Sequence, residues 1–397
     1  MSAETTKRQF GNFDFRLSPE EEARASELHK ESIVIDMLYW GPSTYLSITD
    51  EMEKELIDFF KTTHDLDWTT GRGIYQAQNM AVRGEFPQFK EDWDASGITA
   101  GNRTVEFSSW EYFAAAFATN ISLFDTLPWV VKALTAGDIR RAKAEGKHAA
   151  WINTQLTTGI EKNFFDLLEH AHAMGLRMVM LTYNLWNLIG AGCTERTDAG
   201  ISNYGAKVIE CMNELGIIVD TGHCGRQTTL DACKLSGKPV IASHTAAQGL
   251  YFHPRAKDDE ELKALADTGG IIGVYNIPYF IAPPPEEGKK VGMNEWLDHI
   301  DYIVNLVGWE HVGIGTDWPM ALPKSILEEV FVQFSLKAGF RPDRDRIEEV
   351  VTNLDGFDDY RDFPNVTRGL VKRGYSNEQI KGILGENFLR VFEEVCG

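Results

Sequence analysis

The 397-residue chain carries 39 basic and 59 acidic side chains, which give a formal net charge of −20, and 43% of its residues are hydrophobic. This composition supplies enough apolar residues for a large folded core. The negative charge disfavours binding to nucleic acid or to an anionic membrane surface. A single local arginine would still be sufficient to bind an anionic small molecule.

Membrane insertion and export are also disfavoured. No apolar run approaches the ~20 residues that span a bilayer, and the N-terminal residues 1–15 lack the apolar centre of a secretory signal. The five cysteines are odd in number and have no paired metal-binding spacing. We therefore expect reduced thiols in a cytoplasmic protein.

Short β-branched or apolar runs recur along the chain, and most are followed by a helix-like segment. Such near-continuous runs are typical of parallel strands buried on both faces. Eight of these units predict an α/β fold, a single (β/α)8 TIM-type barrel that takes in residues 1–397. An open doubly wound sheet is the alternative, but no glycine-rich phosphate loop follows the first run. The predicted strands are Ile33–Met37, Ile98–Phe107, Ala149–Gln155, Arg177–Tyr183, Ile217–His223, Pro239–His244, Gly270–Asn276 and His311–Asp317.

The remaining segments predict helices and two insertions. Ile98–Phe107 is polar for a barrel strand and is the least typical of the eight. The first insertion, residues 41–95 between the first two strands, predicts a helical cap over the barrel mouth. The second, Pro319–Asp362, follows the last strand and is expected to cover the same mouth. Amphipathic helices are predicted at Thr158–Gly175, Tyr204–Leu215 and Asp258–Thr268.

Polar side chains stand at the ends of several predicted strands, where the catalytic residues of a barrel gather. His223 and His244 end two successive strands, and Asp317 ends the last one. Two imidazoles with a carboxylate are the usual composition of a catalytic zinc site. Either histidine alone is more often a hydrogen-bonded structural residue, but the three together favour a functional site.

Arg255 lies in the loop after the sixth predicted strand, and two interpretations of it stay open. In one, it is a solvated side chain paired with Asp258 or Asp259. In the other, its guanidinium binds a substrate carboxylate. Cys224, directly after His223, is expected to be a small buried residue rather than a nucleophile or ligand.

Several longer stretches carry a family resemblance. They read MNELGIIVDTGHCG, KPVIASHTAAQGLYFHPR, GGIIGVYNIPYF, HIDYIVNLVGWEHVGIGTDW and GYSNEQIKGILGENFLRVF. On these stretches the sequence resembles the membrane (renal) dipeptidase family, binuclear zinc peptidases with an amidohydrolase-like barrel. The resemblance runs with gaps from about Ile33 to Phe392, and the two insertions match poorly. It implies a barrel fold, hydrolysis of a small substrate and a homodimer.

The resemblance also implies roles for four residues. His223 and His244 fall on the two histidines that hold one zinc in the family. Arg255 falls on the arginine that binds the terminal carboxylate of the dipeptide. Asp317 falls on the aspartate that ligates the other zinc and moves a proton.

Four other positions depart from the family's pattern. Its first strand ends in D-G-H-x-D, which supplies a histidine and an aspartate to the second zinc, whereas Leu38 and Trp40 stand at those two positions here. Gln155 replaces the glutamate that bridges the metals. Tyr183 replaces the histidine that is thought to stabilise the tetrahedral intermediate. Since Leu38 and Trp40 cannot coordinate a cation, we expect the second zinc site to be absent.

These changes predict a hydrolase with at most one divalent metal, by preference zinc, on His223, His244 and the weak amide ligand Gln155. Asp317 is the expected general base, and Tyr183 the expected donor to the developing oxyanion. A single metal would still activate a bound water. A site without any metal is the alternative.

The predicted substrate is a small amide, lactam or ester with a carboxylate that binds Arg255. Its apolar part is expected to lie against Tyr39, Trp40 and Trp186. The second hypothesis is a metal-free or non-hydrolytic acid–base enzyme, such as a lyase, isomerase or hydratase, on the same scaffold. A homologue that binds a ligand without catalysis is the least favoured, because polar strand ends cost stability when they lack partners.

Overall fold

The structure is a computed structural model, and it describes residues 9–38, 49–105, 109–155, 157, 164–286, 288–317 and 353–397. Parallel strands form a curled sheet with helices outside it. The strand order is β1-β3-β4-β5-β6-β7-β8, with β2 paired to β3. The strands are β1 (Ala100–Thr104), β2 (Val130–Lys132), β3 (His148–Thr154), β4 (Leu176–Met180), β5 (Ile218–Asp220), β6 (Val240–Thr245), β7 (Ile272–Val274) and β8 (Val312–Ile314).

A short segment, residues 34–38, closes the sheet into a ring. It occupies the place of the first predicted strand, where Ile35 forms a parallel bridge to Ala100 of β1. On its other side, the Met37 amide donates to the Ile314 carbonyl of β8 at 2.8 Å. The predicted (β/α)8 barrel is therefore confirmed. The short strand β2 was not predicted, and it pairs with the first residues of β3.

The polar strand β1 is stable because each of its large polar side chains has partners. Asn102 donates from Nδ2 to the Met37 carbonyl at 3.0 Å and so ties β1 to the closing segment. Arg103 donates to Asn120 Oδ1 at 2.7 Å and to Gln78 Oε1 at 2.9 Å. Buried polar groups with such bonds lose little free energy relative to water. This explains how Ile98–Phe107 can supply a barrel strand.

Helices follow the strands, and three more fill the first insertion. The insertion is helical as predicted; its position over the mouth stays a prediction. Residues 318–352 of the second insertion lie outside the described part of the chain. The described α-helices are α1 (Pro19–Glu31), α2 (Asp50–Thr63), α3 (Leu66–Val82), α4 (Gln88–Ser96), α5 (Trp110–Thr126), α6 (Ala136–Ala144), α7 (Phe164–Met174), α8 (Asn203–Leu215), α9 (Arg226–Leu235), α10 (Asp259–Asp267), α11 (Pro278–Ile281), α12 (Met293–Val307), α13 (Pro364–Lys372), α14 (Asn377–Lys381) and α15 (Asn387–Cys396).

Short helical turns complete the described chain at Trp309–His311, Tyr360–Asp362 and Gly382–Glu386. The three predicted amphipathic helices correspond to α7, α8 and α10. Residues 158–163 of the first predicted helix lie outside the described part of the chain. No described helix combines the length and hydrophobicity that crossing a bilayer requires.

The C-terminal helix α15 packs against the apolar side chains of the barrel interior. Its Phe388 and Phe392 rings lie 5.0 and 5.7 Å from the Trp151 ring of β3, measured between centroids. The same cluster includes Ile218 and Ile241 from β5 and β6. The interior is thus apolar beside α15, and the polar residues are left for the opposite, C-terminal ends of the strands.

His29 of α1 joins that helix to the last residue of α4 and to α13. Its Nε2 lies 3.1 Å from the Ser96 carbonyl, and its Nδ1 lies 2.8 Å from Thr367 Oγ1. A carbonyl only accepts, so Nε2 carries the proton and Nδ1 accepts from the hydroxyl. Burial lowers the pKa of this imidazole from 6.5 to about 4. The folded protein therefore holds His29 neutral.

We expect this burial to make the protein sensitive to acid. Because the folded pKa lies below the unfolded value, the contribution is present above pH 6.5 and is lost as the pH falls towards 4. The loss reaches about 3 kcal/mol at the lower limit. Urea unfolding of His29→Gln between pH 7 and pH 4.5 should show a shallower decline in the free energy of unfolding than the wild type. His170→Gln, at an exposed position of α7, is the control. Equal slopes in all three proteins would contradict the role of His29.

Candidate functional site

Three polar strand-end residues converge at one end of the barrel. His223 follows β5, His244 lies in β6 and Asp317 follows β8. Their potential ligand atoms all lie within 4.8 Å of one another. His244 Nε2 is 3.8 Å from Asp317 Oδ2, and the two imidazole centroids are 4.8 Å apart. Within the described residues, this is the one group of three or more histidine, cysteine and acidic side chains with metal-ligand proximity.

Each imidazole is held through Nδ1 and leaves Nε2 open. His223 Nδ1 lies 2.7 Å from Asn184 Oδ1, and His244 Nδ1 lies 2.7 Å from Ser243 Oγ. Asp220 in turn accepts from the Ser243 hydroxyl at 2.5 Å. Both Nε2 atoms are buried, and neither has a hydrogen-bond partner in the described part of the chain. A buried polar atom without a partner costs free energy unless a ligand reaches it.

The electrostatics of the site keep both imidazoles neutral. Burial lowers the pKa of His223 and His244 well below the usual value, and the positive charge of Arg255 lowers both further. Burial also raises the pKa of Asp317 to about 7, although Arg255 opposes that rise. A neutral Nε2 with a free lone pair is the form in which histidine binds a cation.

Asp317 sits in an uncommon backbone conformation. Its φ is 56°, in the left-handed region that non-glycine residues rarely adopt. The amide of Asp317 donates to the Leu38 carbonyl at 3.0 Å, which fixes this turn to the barrel-closing segment. The contact aims the carboxylate towards His244, and strain of this kind is often found at functional sites.

The closing segment offers no second set of ligands among its described residues. Leu38 is buried. Asp36 accepts from Thr316 Oγ1 at 2.6 Å, from the Thr316 amide at 2.9 Å and from the Leu38 amide at 3.2 Å. Its carboxylate is therefore used to join the segment to the end of β8. Tyr39 and Trp40 lie outside the described residues.

Three other predicted site residues occupy different surroundings. Tyr183 stacks on the His223 ring, with 4.0 Å between centroids and 21° between planes. Gln155 is buried directly after β3, and its role as a ligand stays a prediction. Arg255 is buried: it donates to the Gly222 carbonyl, and its Nη2 lies 3.5 Å from the His244 carbonyl. Its role in binding a carboxylate likewise stays a prediction.

The sequence analysis missed three residues that shape the site. Asn184 and Ser243 orient the imidazoles, as described above. Tyr275 directly follows β7 and is buried, with its ring centroid 5.7 Å from the Arg255 guanidinium carbon. No described residue forms a hydrogen bond with its hydroxyl. The sequence signal that could have identified Tyr275 is its position directly after a strand. Asn184 and Ser243 carry no such signal, because their roles depend on contacts that only the fold creates.

A family model places the chain among known proteins. The model for membrane dipeptidase (peptidase family M19) matches residues 125–330 and 343–396. The chain belongs to the membrane dipeptidase family. The family resemblance of the sequence is thereby confirmed.

Two curated relatives agree with this membership. The chain is 28% identical to dipeptidase tcpJ of Claviceps purpurea over 264 residues, which cover 66% of this chain and 54% of that protein. It is 29% identical to the uncharacterized dipeptidase C965.12 of Schizosaccharomyces pombe over 233 residues, which cover 57% and 49%. The chain thus spans about half the length of these M19 relatives.

Solved structures share the fold over most of the chain. An amidohydrolase from Pseudomonas aeruginosa is 28% identical with a TM-score of 0.72, over 94% of this chain and 98% of that one. The probable dipeptidase PvdM from Pseudomonas aeruginosa is 21% identical with a TM-score of 0.69, over 96% and 99%. A metallopeptidase from Rhodobacter sphaeroides, solved with a phosphinate mimic of L-Ala-D-Ala, is 18% identical with a TM-score of 0.60, over 77% and 89%.

M19 includes metallopeptidases, and the donor set of this chain fits one divalent cation. Two neutral imidazoles present buried, unpartnered Nε2 atoms, and the Asp317 carboxylate lies beside them. Two nitrogen ligands with a carboxylate suit zinc and other first-row metals. A hydrogen bond that fixes the second nitrogen of each imidazole is typical of metal-bound histidines.

We expect Gly222→Ala to disturb His244 specifically. A Cβ at residue 222 would lie 2.8 Å from Cε1 and 2.9 Å from Nδ1 of His244, a ring that Ser243 holds in place. Overpacking of this kind costs about 1–3 kcal/mol. Urea unfolding measures the loss. Gly237→Ala is the control because its Cβ has no neighbour nearer than 3.5 Å. A Gly222→Ala protein as stable as the control would show that the His244 ring is not rigidly held.

Proposed function

We propose that this chain is a hydrolase with at most one divalent metal, by preference zinc, acting on a small carboxylate-bearing amide, lactam or ester. The observation that carries the proposal is the pair of buried, unpartnered Nε2 atoms of His223 and His244 beside the Asp317 carboxylate. His223 and His244 would hold the metal, with the Gln155 amide oxygen as a weak third ligand. A metal bound there lowers the pKa of its water to about 7 and polarises the substrate carbonyl.

The protein's own side chains supply the other steps. Asp317 takes the proton of the attacking water and passes it to the leaving group. Tyr183, stacked on His223, donates a hydrogen bond to the developing oxyanion. Arg255 binds the substrate carboxylate through those of its N–H groups that do not contact the carbonyls of Gly222 and His244. The unpartnered hydroxyl of Tyr275 adds a second donor on the same side of the site.

The apolar part of the substrate is proposed to lie against Tyr39, Trp40 and Trp186. Of these, Trp186 is 43% exposed in the loop after β4. A neutral amide ligand and the loss of two ligand positions at Leu38 and Trp40 both favour a low metal occupancy. We therefore do not assign the dipeptide specificity of other family members to this chain. The proposed substrate class is defined by a carboxylate and by the acyl bond that is cleaved.

A metal-free acid–base enzyme is the second candidate. The replacement of carboxylate and imidazole donors by Leu38 and Gln155 favours it. In that case His244 and Asp317, 3.8 Å apart, would exchange protons with the substrate directly. Lyase, isomerase and hydratase reactions need no more than this.

We further propose that residues 1–397 form a single barrel domain with residues 41–95 as its cap, and that the protein is cytoplasmic and forms a homodimer. The five cysteines are free, which supports a reducing compartment. The homodimer is supported by the family resemblance alone.

Asp317→Asn should lower kcat/KM by about 10²–10⁴-fold while the protein remains folded, because the amide cannot accept the proton of the attacking water. The measurement is hydrolysis of a panel of N-acyl amino acids, dipeptides, lactams and carboxylate esters. Asp267→Asn, at an exposed end of α10, is the control. Chelator should abolish the activity and zinc should restore it. Turnover that survives complete metal removal would overturn the metal-dependent proposal in favour of the second candidate.

Asn184→Ala should weaken zinc binding about 10–100-fold, because the variant no longer holds the His223 tautomer that opens Nε2. Competition with a chromophoric chelator measures the affinity. Asn213→Ala on α8 removes an equivalent amide away from the site and should leave the affinity unchanged. Equal affinities in the two variants would contradict the orienting role of Asn184.

A further inference from the structure

Three consecutive backbone carbonyls around His223 each receive a hydrogen bond from another loop. The Gly222 carbonyl accepts from the Arg255 guanidinium. The His223 carbonyl accepts from the Cys193 amide at 2.9 Å. The Cys224 carbonyl accepts from the Lys257 ammonium at 2.8 Å. Side-chain cations therefore hold the carbonyls of Gly222 and Cys224, the residues on either side of His223, while a backbone amide holds the His223 carbonyl itself.

The two cations reach the same loop from neighbouring positions in the chain. Lys257 donates from its amide to the Ala246 carbonyl and accepts at its carbonyl from the Gln248 amide, at 3.0 and 2.9 Å, and it forms a parallel bridge to Ala247. Arg255 lies in the turn just before this bridge, where the Ala256 amide donates to the His253 carbonyl at 2.9 Å. The bridge and the turn together fix the positions from which both side chains reach the loop of His223.

Lys257 is buried, and its ammonium has three partners. Besides the Cys224 carbonyl, it donates to Thr229 Oγ1 at 2.6 Å and pairs with Glu261 Oε1 at 3.1 Å. The side chains of Lys257 and Glu261 are only 3% and 4% exposed. A buried ion pair is costly and adds little net stability over an apolar pair of similar volume. The Lys257–Glu261 ion pair is therefore better explained by a role in the site than by a contribution to stability.

We propose that Lys257 is a positioning residue that, with Arg255, fixes the backbone on both sides of His223 and so aims the open Nε2 of that imidazole into the site. This proposal rests on the proposed function, in which the Nε2 atom of His223 holds the metal. Lys257 itself touches neither a metal nor a substrate. It acts through the Cys224 carbonyl, and the ion pair with Glu261 holds its ammonium in place.

The test is the double variant Lys257→Met/Glu261→Met, which removes the whole ion pair and leaves no uncompensated charge. Zinc affinity is measured by competition with a chromophoric chelator, and the ligand field is read from the visible absorption of the Co²⁺-loaded protein. We expect the double variant to bind zinc at least about 10-fold more weakly and to show an altered Co²⁺ spectrum. Urea unfolding shows whether stability has changed alongside.

Thr229→Val is the matched control. It removes another partner of the Lys257 ammonium but keeps the ion pair and the contact with the Cys224 carbonyl. We expect its zinc affinity and Co²⁺ spectrum to equal those of the wild type. A double variant with unchanged affinity and spectrum would overturn the proposal, as would a control that loses affinity to the same extent.

A second measurement, on the metal-free protein, separates this proposal from the proposed function. Nitrogen-15 NMR of the imidazoles should show His223 protonated at Nδ1 in the wild type, as its bond to Asn184 requires. The double variant should show a mixture of tautomers or a broadened signal. If the wild type binds no metal, the proposed function fails, and the tautomer comparison alone decides the role of Lys257. An unchanged tautomer in the double variant would then overturn it.

Discussion

The site depends on two imidazoles that are buried and neutral and whose Nε2 atoms form no hydrogen bond with the described residues. Removing Nε2 of His223 and of His244 from water is unfavourable, and none of the described residues offers either atom a replacement hydrogen bond. The surroundings make this arrangement hold. The nearby cation Arg255 discourages protonation of both rings, while a fixed acceptor at each Nδ1 prevents the rings from turning away. Each Nε2 atom therefore presents a lone pair that is stabilised only when a ligand binds to it.

The same reasoning explains the balance of charge in the site. Among the described residues, Asp317 is the one carboxylate in the group of clustered donors. Asp36 and Asp220 are buried, and their carboxylates accept hydrogen bonds from Thr316 and Ser243. One carboxylate beside two imidazoles supports the proposed chemistry of a single metal, or of proton transfer without one.

Much of this arrangement could be predicted from the sequence, because strand ends in a barrel share one rim. The apolar runs gave the order of the strands, and the polar residues that end them gave His223, His244 and Asp317. The polar strand β1 was uncertain in the sequence because Asn102 and Arg103 are stabilised by Met37, Asn120 and Gln78 from distant segments. Contacts of that kind leave no local pattern. The same is true of the short strand β2, whose three residues carry too little periodicity to be recognised.

The residues that orient the site were hidden for a related reason. Asn184 and Ser243 are ordinary polar residues in the sequence, and only their distances to the imidazoles give them a role. Lys257 resembles any lysine before a helix until its burial and its contact with the Cys224 carbonyl are seen. The sequence also could not show how Arg255 divides its N–H groups between backbone carbonyls and other partners. Side-chain orientation across neighbouring loops is set by packing, which a single sequence does not encode in any short motif.

The way in which the barrel closes bears on how the protein is made. The ring is completed by residues that are 280 positions apart, since Asp36 of the closing segment binds Thr316 at the end of β8, and α15 at the C-terminus packs against the barrel interior. A growing chain cannot form these contacts until Thr316 and the segments after it have been synthesised. Until then the closing segment and the latest strand expose unpaired backbone edges, which are the surfaces that drive aggregation. The nascent sheet therefore stays open through the synthesis of its first seven strands, and β8 with the helices after it turns an aggregation-prone sheet into a closed one.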